Sequence, residues 1–499
     1  MPKITTVLFA AAELTPLAKV GGLADVVGAL PVALSKQGVD ARVIMPKYQA
    51  IDTVKFPLKP TNINAPVSVK GKTVTVKLWK TTIPNSTVPI YLIENDEFFG
   101  GDKIYFDNTK DLNKFDEFER FLFFSKAVSE LIGRLNWSPE ILHCHDWQSG
   151  LIPLLLQIKK SVDSSTPDPV TVFTIHNLSM QGQWNVNDIF CFLDISLGAN
   201  PSLANLRPNN TFNILAQGIK SADIVNTVSP QYAREILTPK LGLGLEKVLA
   251  QRKQSLYGII NGLDTDRFNP ESDPKIIAAF SAKDLTGKAE NKQALQKKCR
   301  LDLDPEAPLF GFVGRLTDQK GMDLIGANVD VIVAQGGQLV ILGTGMSDLE
   351  EIAKQAAKEH PGKVHATIGF DAVFAQQIYA GSDFFLMPSL FEPCGLGQLI
   401  AMRYGAVPVI HNTGGLKDTV PDYTLDKQGG RGFVFNEYTP EALEQAIKQA
   451  LKVYAQPKEM ARLIRRIMEL DFSWERSSTE YQNLYIKAKN LKGKNEKRN

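Results

Sequence analysis

The stretch ITTVLFAAAELTPLAKVGGLADVVGAL, residues 4–30, decides the fold. It opens with an apolar β-type run, Ile4 to Ala12, that ends at Glu13. A Gly21-Gly22 pair follows, and then Leu23, Val26, Val27, Leu30 and Leu34 recur at helical spacing. Strand, glycine loop and helix in that order read as the start of a βαβ unit. The same alternation continues along the chain. Strand candidates in the first half are ITTVLFAAA, ILHCHD, TVFTIHN, DIVNTVS and LYGIIN. In the second half they are LFGFVGR, QLVILGTG, VHATIGF, DFFLMPS and VPVIHNT. Helical patterns fall between many of them, so the sheets should be parallel. One doubly wound sheet holds about six strands, so these runs predict an α/β chain with two doubly wound, Rossmann-like domains.

The expected boundary lies between Asn261 and Pro308, where GLDTDRFNPESDP is polar and turn-rich. The segment KAENKQALQKKCRLDL then reads as a charged helix, and a fresh strand begins at Leu309. The expected domains are residues 1–262, residues 263–470, and a C-terminal helix in 471–499 that packs back on the first domain before a basic tail. Lys59 to Val88 reads as a β-hairpin insertion without chemistry of its own. The Lys-rich end, Lys487 to Asn499, reads as a frayed, solvated terminus.

The chain has 499 residues, with Lys plus Arg 56 against Asp plus Glu 54. This balance argues against a nucleic-acid binder, which carries a basic excess or stripe. Hydrophobic residues at 43% and charged residues at 22% fit a globular protein, and no run suggests a membrane helix. The four cysteines form no C-x-x-C pair, and the short N-terminal apolar run is interrupted by Glu13, unlike a signal peptide. These features predict a cytoplasmic protein.

The residues that carry chemistry cluster where predicted strands end: Glu13, Asp146, His176, Asn261, Arg315 and Gly343. Ligands of open α/β sheets bind outside the carboxyl ends of strands, so two such edges facing each other would form a ligand cleft. Lys19-Val20-Gly21-Gly22 precedes a helix, where free N–H groups and a cation suit a phosphate. A tight turn that simply needs glycine accounts for the same letters. Arg315 and Lys320, in GRLTDQKG, can converge on a diphosphate and neutralise a leaving group. A solvated basic loop is the plainer alternative. Glu392, in FEPCGLGQ, can accept from sugar hydroxyls, while the N–H groups from Cys394 to Gly397 can hold an oxygen. It can equally be a carboxylate placed for the helix dipole.

Other groups are weaker. His143 and His145 share one strand face, as a metal pair would, but no third ligand has convincing spacing. Asp264/Asp266 and Asp302/Asp304 resemble a metal–nucleotide D-x-D but lie in loop-like sequence. His176 ends a central strand, where a satisfied core histidine is also common. Cys394 has no sequence-neighbouring histidine to activate it.

The motifs KVGGLADVVGALP, HCHDWQSGL, FTIHNLSMQG, GIINGLD, GRLTDQKG, FEPCGLGQL and NTGGLKDTV occur in the order seen in bacterial glycogen synthases and plant starch synthases. The chain thus resembles glycosyltransferase family 5, with its two-domain GT-B fold, from residue 4 to about residue 475. The resemblance implies a retaining hexosyltransferase that needs no metal and no cofactor. It implies a nucleotide-glucose donor, with ADP-glucose favoured, an α-1,4-glucan acceptor, and neither nucleic acid nor membrane as partner. It implies catalytic roles for His176, Arg315, Lys320 and Glu392. Donor binding would fall to Lys19, Gly21, Gly22, Asn261, Phe370, Cys394, Gly395, Leu396 and Gly397. Glu13, Asp25, Asp146 and Asn177 would be further cleft residues. The first domain would serve the acceptor and the second the donor, with domain closure bringing Lys19 and His176 to the donor. Gly397 departs from relatives that place Thr or Ile there, and Ile400 stands where many GT-B enzymes carry a second Glu.

Competing readings are UDP-glucose as donor, a non-catalytic glucan-binding protein, and an NAD-dependent oxidoreductase. The last lacks G-x-G-x-x-G followed by an acidic residue. A phosphorylase lacks a clear pyridoxal-phosphate lysine motif here.

Overall fold

The computed structural model describes residues 4–101, 103–105, 114–196, 203 and 210–496. Contacts divide the chain into two units. The first holds the chain up to Val228, Ala233–Gly262, and everything from Trp474 onward; the second holds Ser229–Tyr232 and Leu263–Ser473.

In the first unit the strands are β1 (Thr6–Ala10), β2 (Asp40–Pro46), β3 (Lys59–Val69), β4 (Lys72–Thr82), β5 (Pro89–Glu94), β6 (Ile141–His145), β7 (Val170–Ile175), β8 (Gln183–Asn185), β9 (Thr211–Asn213), β10 (Ile224–Thr227) and β11 (Leu256–Gly258). Nine of them form one sheet in the order β11-β10-β7-β6-β1-β2-β5-β4-β3. From β11 through β5 every pairing is parallel, with Phe9 of β1 beside both Val43 and His143. The strands β6 and β7 are buried along their whole length, as parallel strands covered on both faces must be. The strands β8 and β9 form a separate antiparallel pair.

The second unit contains β12 (Leu309–Val313), β13 (Gln338–Gly343), β14 (Val364–Ile368), β15 (Phe384–Met387), β16 (Val407–His411) and β17 (Phe433–Phe435). They form an all-parallel sheet in the order β14-β13-β12-β15-β16-β17. Its core is built on Phe310, Phe312, Phe384, Phe385, Leu339, Ile341 and Val409, all nearly or fully removed from water.

All ten strand runs read from the sequence form strands. Three strands of the two main sheets lay outside that reading. The segments DARVIMP of β2 and PIYLIE of β5 carry charge or proline at their ends, and the three-residue β17 is too short to leave a pattern. The hairpin β3–β4 is not set apart as an insertion. It pairs antiparallel with β5 and extends the central sheet.

The Lys-rich terminus also differs from its reading. The helix Trp474–Glu496 runs through it; residues 497–499 lie outside the described region. Ala488 is buried, Lys489 bonds Glu140 at 3.2 Å, and Lys492 pairs with Asp168. Lys489 and Lys492 are therefore anchors to acidic loops and not part of a solvated tail. Deeper in this helix Tyr481 and Tyr485 are fully buried against the sheet. Tyr485 donates to His143 Nδ1 at 2.9 Å. Among the described residues no helix is long and apolar enough to cross a membrane.

The Tyr485 contact yields a stability test. Tyr485→Phe strands the His143 Nδ1 lone pair in an apolar interior, which costs about 1–3 kcal/mol. A thermal melt should show a lowered midpoint for the first unit, and an unchanged midpoint would show that the hydroxyl holds nothing.

Candidate functional site

Chain direction positions the site in each unit. In the first, the chain leaves β1 toward β2 on one side and later returns as β6 on the other. Strand order thus reverses between β1 and β6, the place where open α/β sheets bind ligands. The residues that follow these strands are Glu13 after β1, Asp146 after β6, His176 after β7 and Asn261 after β11. Because the strands are parallel, all four lie on one sheet edge. In the second unit the reversal falls between β12 and β15. Arg315 follows β12 and Glu392 follows β15, so both lie at that edge.

The loop after β1 is braced by Glu13. Its buried carboxylate accepts the N–H of Val20 at 2.6 Å and of Gly21 at 2.8 Å, and the Tyr105 hydroxyl at 2.7 Å. The sequence reading left the N–H groups of both glycines open to a phosphate. The structure gives that of Gly21 to Glu13, because a buried carboxylate must satisfy its lone pairs. A side chain at Gly21 or Gly22 would stand in open space. Lys19 Nζ pairs with Asp25 at 2.6 Å, and Asp25 also accepts from Thr15 at 3.2 Å. The helix Gly22–Lys36 is anchored by buried Leu23, Val26, Val27, Leu30 and Leu34, as the spacing predicts.

Asp146 occupies a left-handed backbone position, φ 53°, which is rare for a non-glycine and marks stored strain. Its Oδ1 accepts the His176 N–H at 2.7 Å. Burial pushes its carboxyl up to about 7, opposed by the backbone hydrogen bonds from His176 and Asn177 and assisted by the charge of Glu13. Burial pushes His176 down to about 3, so its ring is neutral. Its Nε2 lies 2.9 Å from His145 Nδ1. Asn177 Oδ1 accepts the N–H and hydroxyl of Ser179, closing a turn. Asn261 is buried with its side-chain oxygen unpartnered among the described residues, a costly state that a ligand donor would relieve.

In the second unit Lys320 Nζ lies 2.6 Å from Glu392 Oε2, and Ser389 donates to the same oxygen at 3.1 Å. Leu390 N–H to Gln319 O, at 2.9 Å, ties the two loops together. Arg315 is exposed at the sheet edge. Phe370, just beyond β14, is 90% exposed. The loop Glu392–Gly397 rests on the segment Asn412–Asp418. Gly414 has φ +44°, and a Cβ there would meet Glu392 O at 2.0 Å, so only glycine fits. Gln398 holds Cys394 O at 3.1 Å and Gly395 O at 2.9 Å. Leu396 leads into the helix Gly397–Arg403, and Cys394 is buried.

Gly397 has a local explanation. A Cβ would press on Met387 Sδ at 3.2 Å and Phe385 Cε1 at 3.3 Å. These two side chains would have to give by a few tenths of an ångström to admit a Cβ there.

The weaker candidates resolve into structural roles. His143 has both ring nitrogens engaged, Nδ1 by Tyr485 and Nε2 by Thr174 at 2.6 Å. Asp264 accepts the N–H of Asp266 and Arg267, and Asp302 pairs with Lys363, so both acidic pairs fasten loops. The sequence reading passed over Tyr105, Ser389 and the roles of Gly414 and Gly415. The first two carry no motif of their own; the glycine pair stood in NTGGLKDTV as an unexplained signal.

Each unit is a doubly wound α/β domain, and cationic side chains and a carboxylate stand at the switch points, groups suited to phosphates and sugar hydroxyls. A family model described as starch synthase catalytic domain matches residues 6–251, and one described as glycosyl transferases group 1 matches residues 295–467. The chain is 42% identical to the glycogen synthase of Geotalea daltonii over 482 residues, covering 96% of this chain and 98% of that one. It is 42% identical to the glycogen synthase of Desulforudis audaxviator, covering 97% and 96%. The solved catalytic domain of Arabidopsis thaliana starch synthase IV, bound to ADP and acarbose, superposes with TM-score 0.86 at 34% identity, covering 98% and 99%. The chain belongs to the glycogen synthase and starch synthase family, and it is a hexosyltransferase.

The raised carboxyl of Asp146 gives a pH prediction. Its folded value lies above the unfolded 3.8, so its contribution is fully present below that value and is lost as pH rises through about 7. Asp146→Asn keeps the oxygen that accepts from His176 and removes the buried charge. Its thermal midpoint, relative to the parent, should rise more at pH 8 than at pH 5; an equal effect at both would contradict the assignment.

Proposed function

We propose that the protein transfers glucose from a nucleotide-glucose, ADP-glucose in preference to UDP-glucose, to the non-reducing end of an α-1,4-glucan in the cytoplasm. The observation that carries this is the Lys320–Glu392 contact, 2.6 Å, at the switch point of the second unit. A buried carboxylate held by an amine and the Ser389 hydroxyl is set to accept from sugar hydroxyls. The amine and the exposed Arg315 can neutralise an adjacent diphosphate.

In this reading Arg315 and Lys320 hold the diphosphate and Glu392 the glucose, while the N–H groups of Cys394, Gly395, Leu396 and Gly397 line the phosphate side. Phe370 stands two strand intervals from β12, about 10 Å, which suits a base stacked on its ring. Within the first unit the groups proposed are Lys19 and Gly22 for phosphate, His176 for glucose, and Asn261 through its unpartnered oxygen, with Asn177 beside His176. Glu13, Asp25 and Asp146 hold these groups in place. The C1–O bond to the diphosphate breaks as C1 bonds to the acceptor hydroxyl on the same face. The acceptor proton passes to the departing phosphate oxygen, and no second carboxylate is required.

Lys320→Ala and Glu392→Ala should each lower turnover by orders of magnitude while a cooperative melt persists. Near-normal rates in either would remove the proposed role. Incubation with glycogen and each labelled nucleotide-glucose, with chelator present, tests donor and acceptor together. Phe370→Ala should raise KM for the donor about tenfold with little change for glycogen, as loss of one base–aromatic stack predicts.

A further inference from the structure

The histidines of β6 were weighed above as metal ligands, and only His143 has found a structural role. His145 is fully buried and held at every point but one. Its N–H donates to Ser149 Oγ at 2.6 Å, and its carbonyl accepts from the same hydroxyl at 2.8 Å. Its ring packs against Phe9, 5.8 Å away, and His143, 4.2 Å away, and those two rings also touch each other at 5.1 Å. Its Nδ1 meets His176 Nε2 at 2.9 Å. Its Nε2 is buried with no partner among the described residues.

These contacts determine where the protons sit. Thr174 donates its hydroxyl to Asn226 at 2.6 Å, so it must accept from His143, whose Nε2 therefore carries the proton. His143 Nδ1 then accepts from Tyr485, and the ring is neutral. His145 lies against this neutral ring and Phe9, and burial holds it and His176 well below the ordinary imidazole value. Two neutral rings share one proton between Nδ1 of His145 and Nε2 of His176. If His176 donated it, His145 would carry a proton on Nε2 and bury an N–H without an acceptor. If His145 donates, only a lone pair is left bare, and a buried orphan donor is the rarer defect. His176 must then carry its own proton on Nδ1.

We propose that His145 is a positioning residue that fixes His176 as the Nδ1–H tautomer, so that His176 meets its substrate oxygen as a hydrogen-bond donor. This rests on the reading above that His176 touches the glucose. The fixed tautomer makes His176 a preset dipole that requires no proton uptake. Its ring is aimed by His145, which packs in a cluster with Phe9 and His143, and, through His143 and Tyr485, by the C-terminal helix.

The test uses the full chain labelled with ¹⁵N-histidine. With six histidines, the His176 signals are identified by their loss in His176→Asn. The expected spectrum at neutral pH shows a pyrrole-like Nδ1 and a pyridine-like Nε2 for His176. An Nε2–H tautomer, an averaged spectrum or a charged ring would overturn the inference, whatever the activity. His145→Phe keeps the stack and removes the donor. It should convert His176 to mixed tautomers and lower kcat about tenfold at little-changed KM, as expected for one lost hydrogen bond. His145→Asn, whose amide can stand where Nδ1 stood, should recover part of both. An unchanged His176 spectrum in His145→Phe would also overturn the inference. Should that variant fail to fold, the parent spectrum still decides. Normal turnover in His176→Ala would instead refute the role of His176 while leaving the tautomer result intact.

Discussion

Parallel pairing is the constraint on which the rest depends. A strand that runs parallel to its neighbours delivers every following loop to the same edge of the sheet. In the first unit this brings Glu13, Asp146, His176 and Asn261 to one edge, though they are spread over some 250 positions of sequence. In the second it sets Lys320 against Glu392 across the β12/β15 reversal. The central strands β6 and β7 are buried on both faces, and the candidate site residues lie at the ends where the backbone leaves the ladder.

Much of this is legible in the sequence. The strands that begin each βα unit are apolar runs bounded by glycine or turn residues, and they are the strands that carry the site. Their parallel arrangement follows from the helices between them. The strands β2, β5 and β17 escaped because they are charged at an end or short, and their pairing is imposed by neighbours. The hairpin β3–β4 was legible as a hairpin but not as part of the main sheet, since nothing local to a hairpin states which edge it will extend.

The site residues were legible as letters and not as partnerships. Gly21 stood out for its freedom, yet its N–H is committed to Glu13. Lys19 and Asp25 were separate candidates, and they are an ion pair. Gly397 read as a departure from larger residues, and a Cβ there would press on Met387 and Phe385. In each case the missing information was a contact between residues that one-dimensional spacing cannot relate. His145 shows the same limit: two histidines on a strand suggest a metal, and only the rings around them reveal a hydrogen-bond relay.

The return of the helix Trp474–Glu496 to the first unit has a consequence for synthesis on the ribosome. The tyrosines that seal His143 and Asn226 are translated only after the whole second unit has been translated. The nascent first sheet must therefore wait with an apolar face and buried-to-be polar groups uncovered while a second domain completes itself. The helix Trp474–Glu496 is therefore the closing piece of the first unit, supplied only after the sequence of the second.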